Sequence, residues 1–322
     1  MNRAPQLLSG TAFALAAGLM WGLVFVAPLL LPHYSPALLA VGRYLAFGLI
    51  CLPLALLDRL ELQRLSHADW LVAVKLTLVG NFLYYLALAA AIQRAGNPLV
   101  SVIIGTLPVI IAIASNQRNA ARDGRLPWRL LAPSLLLIAI GIGCVNQTEF
   151  SQLAQGETQR YVEGALIAFI ALAAWTWYPI HNADWLRAHP DRNPRVWATA
   201  QGLVTLPISL LGLGLLWLWE GWQGGLAMPL GPDPLAFVGL MLAIGLFASW
   251  GGTLCWNEAS QRLPTTLVGQ LIVFETLAAL AYGYLQRGHW PPALALLGVG
   301  LLVAGVIWAL RVRPSPGPKP VH

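Results

Sequence analysis

Ten apolar stretches, each long enough to cross a bilayer, decide what this chain can fold into. They cover residues 8–31, 36–57, 69–92, 98–116, 130–147, 162–181, 195–219, 235–259, 264–285 and 291–310. A hydrocarbon core about 30 Å thick takes about 20 mostly apolar residues per helix. Only 10% of the residues are charged, against about 25% in soluble domains, and the mean hydropathy is +0.66. The reading is an all-α membrane protein with ten transmembrane helices.

The ten stretches fall into two halves that repeat each other. Residues 85–94 (YLALAAAIQR) align without gaps on 253–262 (TLCWNEASQR) at an offset of 168, with Leu86/Leu254, Ala91/Ala259, Gln93/Gln261 and Arg94/Arg262 identical. The same offset continues through Leu99/Leu267, Val100/Val268 and Ile104/Ile272. Gly10 and Trp21 match Gly164 and Trp175 at an offset of 154; Ser35-Pro36 matches Asn193-Pro194 at 158, and Trp128 and Gly143 match Trp290 and Gly305 at 162. Each match is weak alone, and their preserved order carries the argument. Five helices is an odd number, so the second half enters the membrane from the opposite side. The expected organisation is a first five-helix repeat over 1–147, an external connection over 148–161, a second repeat over 162–310 and a disordered cytoplasmic tail over 311–322. An inverted repeat lets one half rock against the other around a central site.

Orientation follows from Lys and Arg. With the N-terminus inside, the cytoplasmic connections hold fourteen of them and the external ones only Arg94, Arg160 and Arg287; Arg43 and Lys75 lie within spans. This positive-inside bias puts both termini in the cytoplasm. It also accounts for the net charge of +6 without nucleic acid, because the basic residues are scattered over short loops. The first stretch has no clear cleavage site and reads as a retained helix. Cys51, Cys144 and Cys255 sit apart within spans, suggesting neither a disulfide framework nor a metal site.

Polar and ionisable groups in hydrocarbon are costly and usually face the bundle interior or a water-filled path. Here they are Arg43, Lys75, Asn81, Gln201, Asn257, Glu258, Gln270 and Glu275. At 1.5 Å per residue, Glu275 lies about 16 Å from the cytoplasmic end of its helix and Arg43 about 10 Å from the outer end of its own. An Arg43–Glu275 pair is therefore expected. It could be a gate latch or proton-sensitive switch, or a fixed pair joining the second and ninth helices. Glu258 and Asn257 lie near the inner end of the eighth helix, where Glu258 reads as solvated at the interface, and Lys75 reads as snorkelling to the cytoplasmic surface.

Trp21, Phe25, Tyr84, Tyr85, Trp175, Trp177, Tyr178 and Trp250 lie deep in their helices, whereas Trp70, Trp128, Trp185, Trp217, Trp219 and Trp222 fit interfacial girdles. Two readings stand for the deep set: helix packing, or the amphipathic walls of a pocket with Asn81 and Gln201 as hydrogen-bonding groups. The expected substrate-binding residues are Trp21, Asn81, Tyr85, Trp175, Tyr178, Gln201 and Trp250, with Arg43 and Glu275 in gating or coupling. Gly18, Gly22, Gly298, Gly300 and Gly305 allow close helix approach, and Pro28, Pro53, Pro108, Pro179 and Pro207 can set kinks.

Two five-helix halves with short loops resemble the drug/metabolite transporter superfamily, in its EamA-like branch. AAGLMWG (16–22) and IALAAWTWY (170–178) resemble the first helix of each half, and AVGRYLAFGLI (40–50) the second, where an Arg like Arg43 is common. Residues 86–115 and 254–285 resemble the third-to-fourth helix signature, and LLGVGLLVAGVIW (296–308) the Gly-rich closing helix. In this branch a Glu in the ninth helix is often followed by Pro. Here Thr276 follows Glu275 and only Pro108 keeps the proline, so the ninth helix is expected to be straighter. The resemblance implies movement of amino acids, other small metabolites or drug-like molecules, often outward. Trp256-Asn257 and the aromatic centre are similar to exporters of aromatic amino acids.

The leading expectation is a secondary carrier exporting amino acids or related small amphipathic metabolites, by facilitated diffusion or proton exchange. The alternative is a proton-coupled drug or organic-cation antiporter using Glu275. A channel, a structural subunit and an intramembrane enzyme are more remote. No GxxxxGK[ST] loop appears, and the six histidines lie at helix ends, in loops or in the tail, so neither ATP drive nor catalysis is expected. No cofactor or metal is implied. The expected partners are a small-molecule substrate and the lipid bilayer, with the chain a monomer or homodimer in a bacterial inner membrane.

Overall fold

The computed structural model describes residues 3–118, 127–150, 158–222, 230–263, 265–288 and 290–311. The tail beyond residue 311, the centre of the external connection and Arg122, Arg125, Arg313 and Lys319 of the basic count lie outside them, as does the side chain of Gln270. The described residues form helices joined by short turns, with no strand among them. Eight helical segments are long and apolar enough to cross a membrane: Gln6–Leu30 (α1), Pro36–Leu57 (α2), His67–Ala95 (α3), Trp128–Val145 (α5), Thr158–Ala188 (α6), Pro194–Glu220 (α7), Pro234–Arg262 (α8) and Leu267–Arg287 (α9). Asn97–Ile111 (α4) and Ala293–Gly305 (α10) are shorter apolar helical segments. This is an all-α membrane protein.

Local chemistry sets the helix ends. The Leu38 amide donates to Ser35 Oγ at 3.2 Å, with Pro36 at the first helical position of α2, where a missing N–H costs nothing. Asn193-Pro194 opens α7 similarly, with the Arg195 amide donating to Asn193 Oδ1 at 2.9 Å. A capping box of Ser66 and Asp69 starts α3. Gly96, at φ 78°, makes the sharp turn from α3 into α4.

Two irregularities recur along the chain. Residues Thr77–Leu83 of α3 and Gly245–Gly251 of α8 are each seven residues of π-helix, separated by the same 168 positions that relate the sequence matches. π-Helix is rare, and where it interrupts an α-helix it is frequently at a functional site. The helix through α4 breaks between Ile104 and Leu107, and α9 breaks at Ile272, between Thr265–Leu271 and Val273–Arg287. The ninth helix is thus interrupted despite Thr276. The Glu275 amide donates back only three residues, to the Ile272 carbonyl at 3.0 Å, and that tighter bond interrupts the helix without a proline.

Packing interleaves the two halves. α1 lies against α8 and α9, while α6 lies against α3 and α4; α2 pairs with α7 and α5 with α10. As packed bodies the halves do not stay apart: α1, α8 and α9 form one mixed three-helix bundle and α3, α4 and α6 another. The contacts repeat in detail: Gly10 of α1 abuts Arg262 and Leu263 of α8, and Gly164 of α6 abuts Arg94 and Ala95 of α3. At Gly18 and Gly22 an added Cβ would fall 2.8 Å from Phe274 Cβ and 2.5 Å from Ala278 Cβ, which is how α1 reaches α9. Gly300, by contrast, faces open space.

Candidate functional site

A closed cavity lies where the two bundles meet. Trp21 and Val24 of α1, Arg43 and Tyr44 of α2 and Gly80, Asn81 and Tyr84 of α3 line it from the first half; Trp175 of α6, Ser249 and Thr253 of α8 and Glu275 of α9 line it from the second. Its volume is about 10 Å³, room for about one water. Both π-helical segments border it through Gly80, Asn81 and Ser249.

Glu275 is 1% exposed and both its oxygens are bound. Tyr84 Oη donates to Oε1 at 3.0 Å and Trp175 Nε1 donates to Oε2 at 2.9 Å. A buried carboxylate requires such donors. Trp175 is held in turn: its ring stacks on Tyr84 at 4.4 Å and Tyr178 at 5.1 Å, and meets Trp21 edge-on at 4.9 Å. Arg43 is buried too. Its Nε donates to Ser249 Oγ at 2.9 Å, its guanidinium lies 4.5 Å from the Tyr85 ring centroid, and Nη1 has no hydrogen-bond partner.

From this cavity a polar chain runs to the end where α6 finishes and α7 begins. Tyr178 Oη donates to Gln201 Oε1 at 2.9 Å, and Gln201 Nε2 and Trp197 Nε1 both donate to Asn182 Oδ1. Asn182 Nδ2 donates to Asn257 Oδ1 at 2.8 Å and Asn257 Nδ2 to the Pro194 carbonyl at 3.2 Å. Beyond it, Trp185 Nε1 donates to Asp69 Oδ1 at 2.8 Å and Arg195 pairs with Asp58. The opposite end is closed by Asn97 Nδ2 donating to the Ala279 carbonyl at 3.0 Å. Both ends are shut around a cavity that carries one cation and one carboxylate.

Comparison with known proteins now decides the family. Residues 8–117 match the EamA-like transporter family. Inner membrane protein YtfF of Escherichia coli (strain K12) is 50% identical over 311 residues, covering 96% of this chain and 97% of that one. The chain belongs to the EamA-like transporter family. A crystal structure at 18% identity superposes with a TM-score of 0.67 over 94% of this chain and 97% of the other, a likeness of fold alone. The protein is accordingly a multi-pass membrane protein.

Within this EamA-like fold, five of the nine expected site residues line the cavity: Trp21, Asn81, Trp175, Arg43 and Glu275. Arg43 and Glu275 share it without a direct ion pair among the described residues, because Ser249 holds one and Tyr84 with Trp175 the other. The remaining four stand behind the wall. Tyr85 takes the Arg43 guanidinium on its face, Tyr178 and Gln201 enter the polar chain, and Trp250 Nε1 lies 3.5 Å from Thr199 Oγ1. Trp185 is 6% exposed and stacked on Trp197 at 3.5 Å, and Asn257 is buried. Glu258 pairs with Arg262, and Lys75 is exposed.

Sequence reading passed over Ser249, Thr253 and Asn182, small polar residues that no charge or aromatic ring marks. The repeat offset could have found two of them. Adding 168 to Asn81 gives Ser249, and to Tyr85 gives Thr253.

Proposed function

We propose that the protein is a secondary transporter of the bacterial inner membrane, exporting amino acids or related small amphipathic metabolites by alternating access. The observation that carries this reading is the central cavity. It draws on both halves, offers a cation with an unpartnered Nη1 opposite a carboxylate, and is walled by Trp21, Trp175 and Tyr84. A zwitterion with a flat or apolar part matches all three features. In this account Arg43 and Ser249 receive the carboxylate, Glu275 the ammonium group, and Asn81 the remaining polar edge. Tyr85, Tyr178, Gln201 and Trp250 back the site and couple it to the cytoplasmic closure.

Ten spans in two inverted five-helix repeats, with cytoplasmic termini, complete the account. The π-helical segments 168 residues apart and the matched Gly10 and Gly164 contacts support it, and so does the fourteen-to-three distribution of basic residues. The mobile units are then the mixed bundles of α1, α8, α9 and of α3, α4, α6. Separating them at one end breaks Asn182–Asn257, and at the other Asn97–Ala279.

A second reading, a proton-coupled drug or organic-cation antiporter, is favoured by Glu275 alone, since a buried carboxylate can exchange a proton for a cation. One experiment separates the two. Purified protein in liposomes is given labelled aromatic, aliphatic and basic amino acids and one organic cation, with and without a pH gradient. Saturable amino-acid flux stimulated by counter-substrate supports the first reading. Flux of the cation alone, driven by the gradient and lost in Glu275→Gln, supports the second.

A further inference from the structure

The repeated Gln-Arg pair near the ends of α3 and α8 takes no part in the central cavity, yet its contacts recur at the two ends of the molecule. Arg94 and Arg262 each fold back on their own helix, where Nη1 donates to the Ala90 carbonyl at 3.1 Å and to the Glu258 carbonyl at 3.0 Å. The glutamines reach outward instead. Gln93 Nε2 donates to the Tyr34 carbonyl at 2.8 Å, and Gln261 Nε2 donates to the Arg192 carbonyl at 3.1 Å. Tyr34 stands directly before the Ser35-Pro36 that opens α2, and Arg192 directly before the Asn193-Pro194 that opens α7. Donor and acceptor thus both correspond between the halves, at the offsets of 168 and 158 that relate the sequences.

The side chains of Tyr34 and Arg192 also correspond in what they reach. Tyr34 Oη donates to the Leu230 carbonyl at 2.9 Å and accepts from the Asp233 amide at 2.8 Å, just before α8. Arg192 Nη2 donates to the Arg64 carbonyl at 3.1 Å, just before α3. A phenol donates and accepts whereas a guanidinium only donates, so different chemistry makes an equivalent tie. Each tie crosses between the mixed bundles. At one end it joins the turn leaving α1 to α3, and at the other the turn leaving α6 to α8. Tyr34 is the more enclosed of the two. It is 3% exposed and stacked on Phe237 at 4.9 Å. Gly231, at φ 76°, lies on its ring, where an added Cβ would fall 2.3 Å from Cε1.

We propose that Tyr34 and Arg192 are paired latches, each closing one mouth of the transport path with the glutamine of its own half, and that they release alternately. The inference rests on the alternating-access reading. In the orientation proposed above, Tyr34 and Gln93 close the external mouth, and Arg192 and Gln261 the cytoplasmic one. Rigid bodies that rock about a fixed central site open one end as they close the other, so equivalent contacts at the two ends break in turn.

The test is the rate at which a membrane-impermeant thiol reagent labels Ser249→Cys, on the cavity wall, in a background lacking Cys51, Cys144 and Cys255. Right-side-out and inverted membrane vesicles give the rate from each side. Tyr34→Phe with Gln93→Leu removes the external latch but keeps the ring on Phe237. It is expected to raise external relative to cytoplasmic labelling about fivefold or more, the weight of about one ordinary hydrogen bond. Arg192→Met with Gln261→Leu should shift the ratio the other way, and by less, because that latch is exposed to water. Joining the two sets should return the ratio toward the parent value. Tyr34→Phe alone, the mildest change, should shift it in the same direction as its pair. Labelling from both sides that no variant redistributes, or that rises equally on both, would overturn the latches and leave alternating access standing. An absence of labelling from either side in the parent and every variant would overturn alternating access and the latches with it.

Discussion

Trp175→Phe tests how the two bundles are tied at mid-membrane. The substitution keeps a ring between Tyr84 and Tyr178 but deletes the N–H that reaches Glu275 Oε2 at 2.9 Å. A hydrogen bond to a charged group is worth about 1.5–3 kcal/mol, and a neutral one about 0.5–1.5. In a Glu275→Gln background the amide oxygen can turn to Trp175 and its NH2 group to the Tyr84 hydroxyl, which is able to accept. There the same Trp175→Phe change removes only a neutral bond. The expected loss is therefore about 2 kcal/mol in the native background and about 1 kcal/mol in the Glu275→Gln background, a coupling on the order of 1 kcal/mol. Unfolding in mixed micelles, followed by helical circular dichroism over the four proteins of the cycle, measures it without a substrate. Effects that add to within about 0.3 kcal/mol would refute the claim that Trp175 acts through Glu275.

Arg43→Lys keeps the charge but loses the planar group that bonds Ser249 while lying over Tyr85; flux should fall at least about tenfold, since Arg and Lys are not interchangeable at such sites. Asp69→Ala removes the Ser66 capping box and the acceptor of Trp185, costing about 2 kcal/mol from a lost cap and a buried donor left unpaired, read as a lower unfolding midpoint. Gly22→Leu drives a side chain into Ala278; overpacking costs about 1–3 kcal/mol, seen as reduced yield of monodisperse protein, and Gly300→Leu, in open space, should leave the yield unchanged.

The helices were legible because hydrocarbon imposes a simple rule on sequence: apolar length gives helices. The offset of 168 read from the sequence is also the spacing of the two π-helical segments. Bundle composition was not legible. Nothing in the sequence says that α1 packs on α8 and α9, because that depends on small residues such as Gly10, Gly18 and Gly22 meeting particular partners. Glu275 and Arg43 stood out as charges within spans, but their partners did not. Tyr84 and Trp175 are two of many deep aromatics, and Ser249 resembles any small residue of a packed helix. The partner of Trp185 was hidden for a related reason: Asp69, which takes its N–H, lies 116 residues away in sequence.

The central claim is that the cavity opens to one side at a time, and cysteine accessibility tests it most directly. Ser249→Cys, in a background lacking Cys51, Cys144 and Cys255, places a thiol on the cavity wall. A membrane-impermeant thiol reagent is applied from either side, before and after cross-linking Asn182→Cys to Asn257→Cys, the bridge between α6 and α8. Alternating access predicts labelling from both sides before the cross-link, and from the external side alone after it. Labelling from the cytoplasmic side that continues at its original rate after cross-linking would contradict alternating access in this protein.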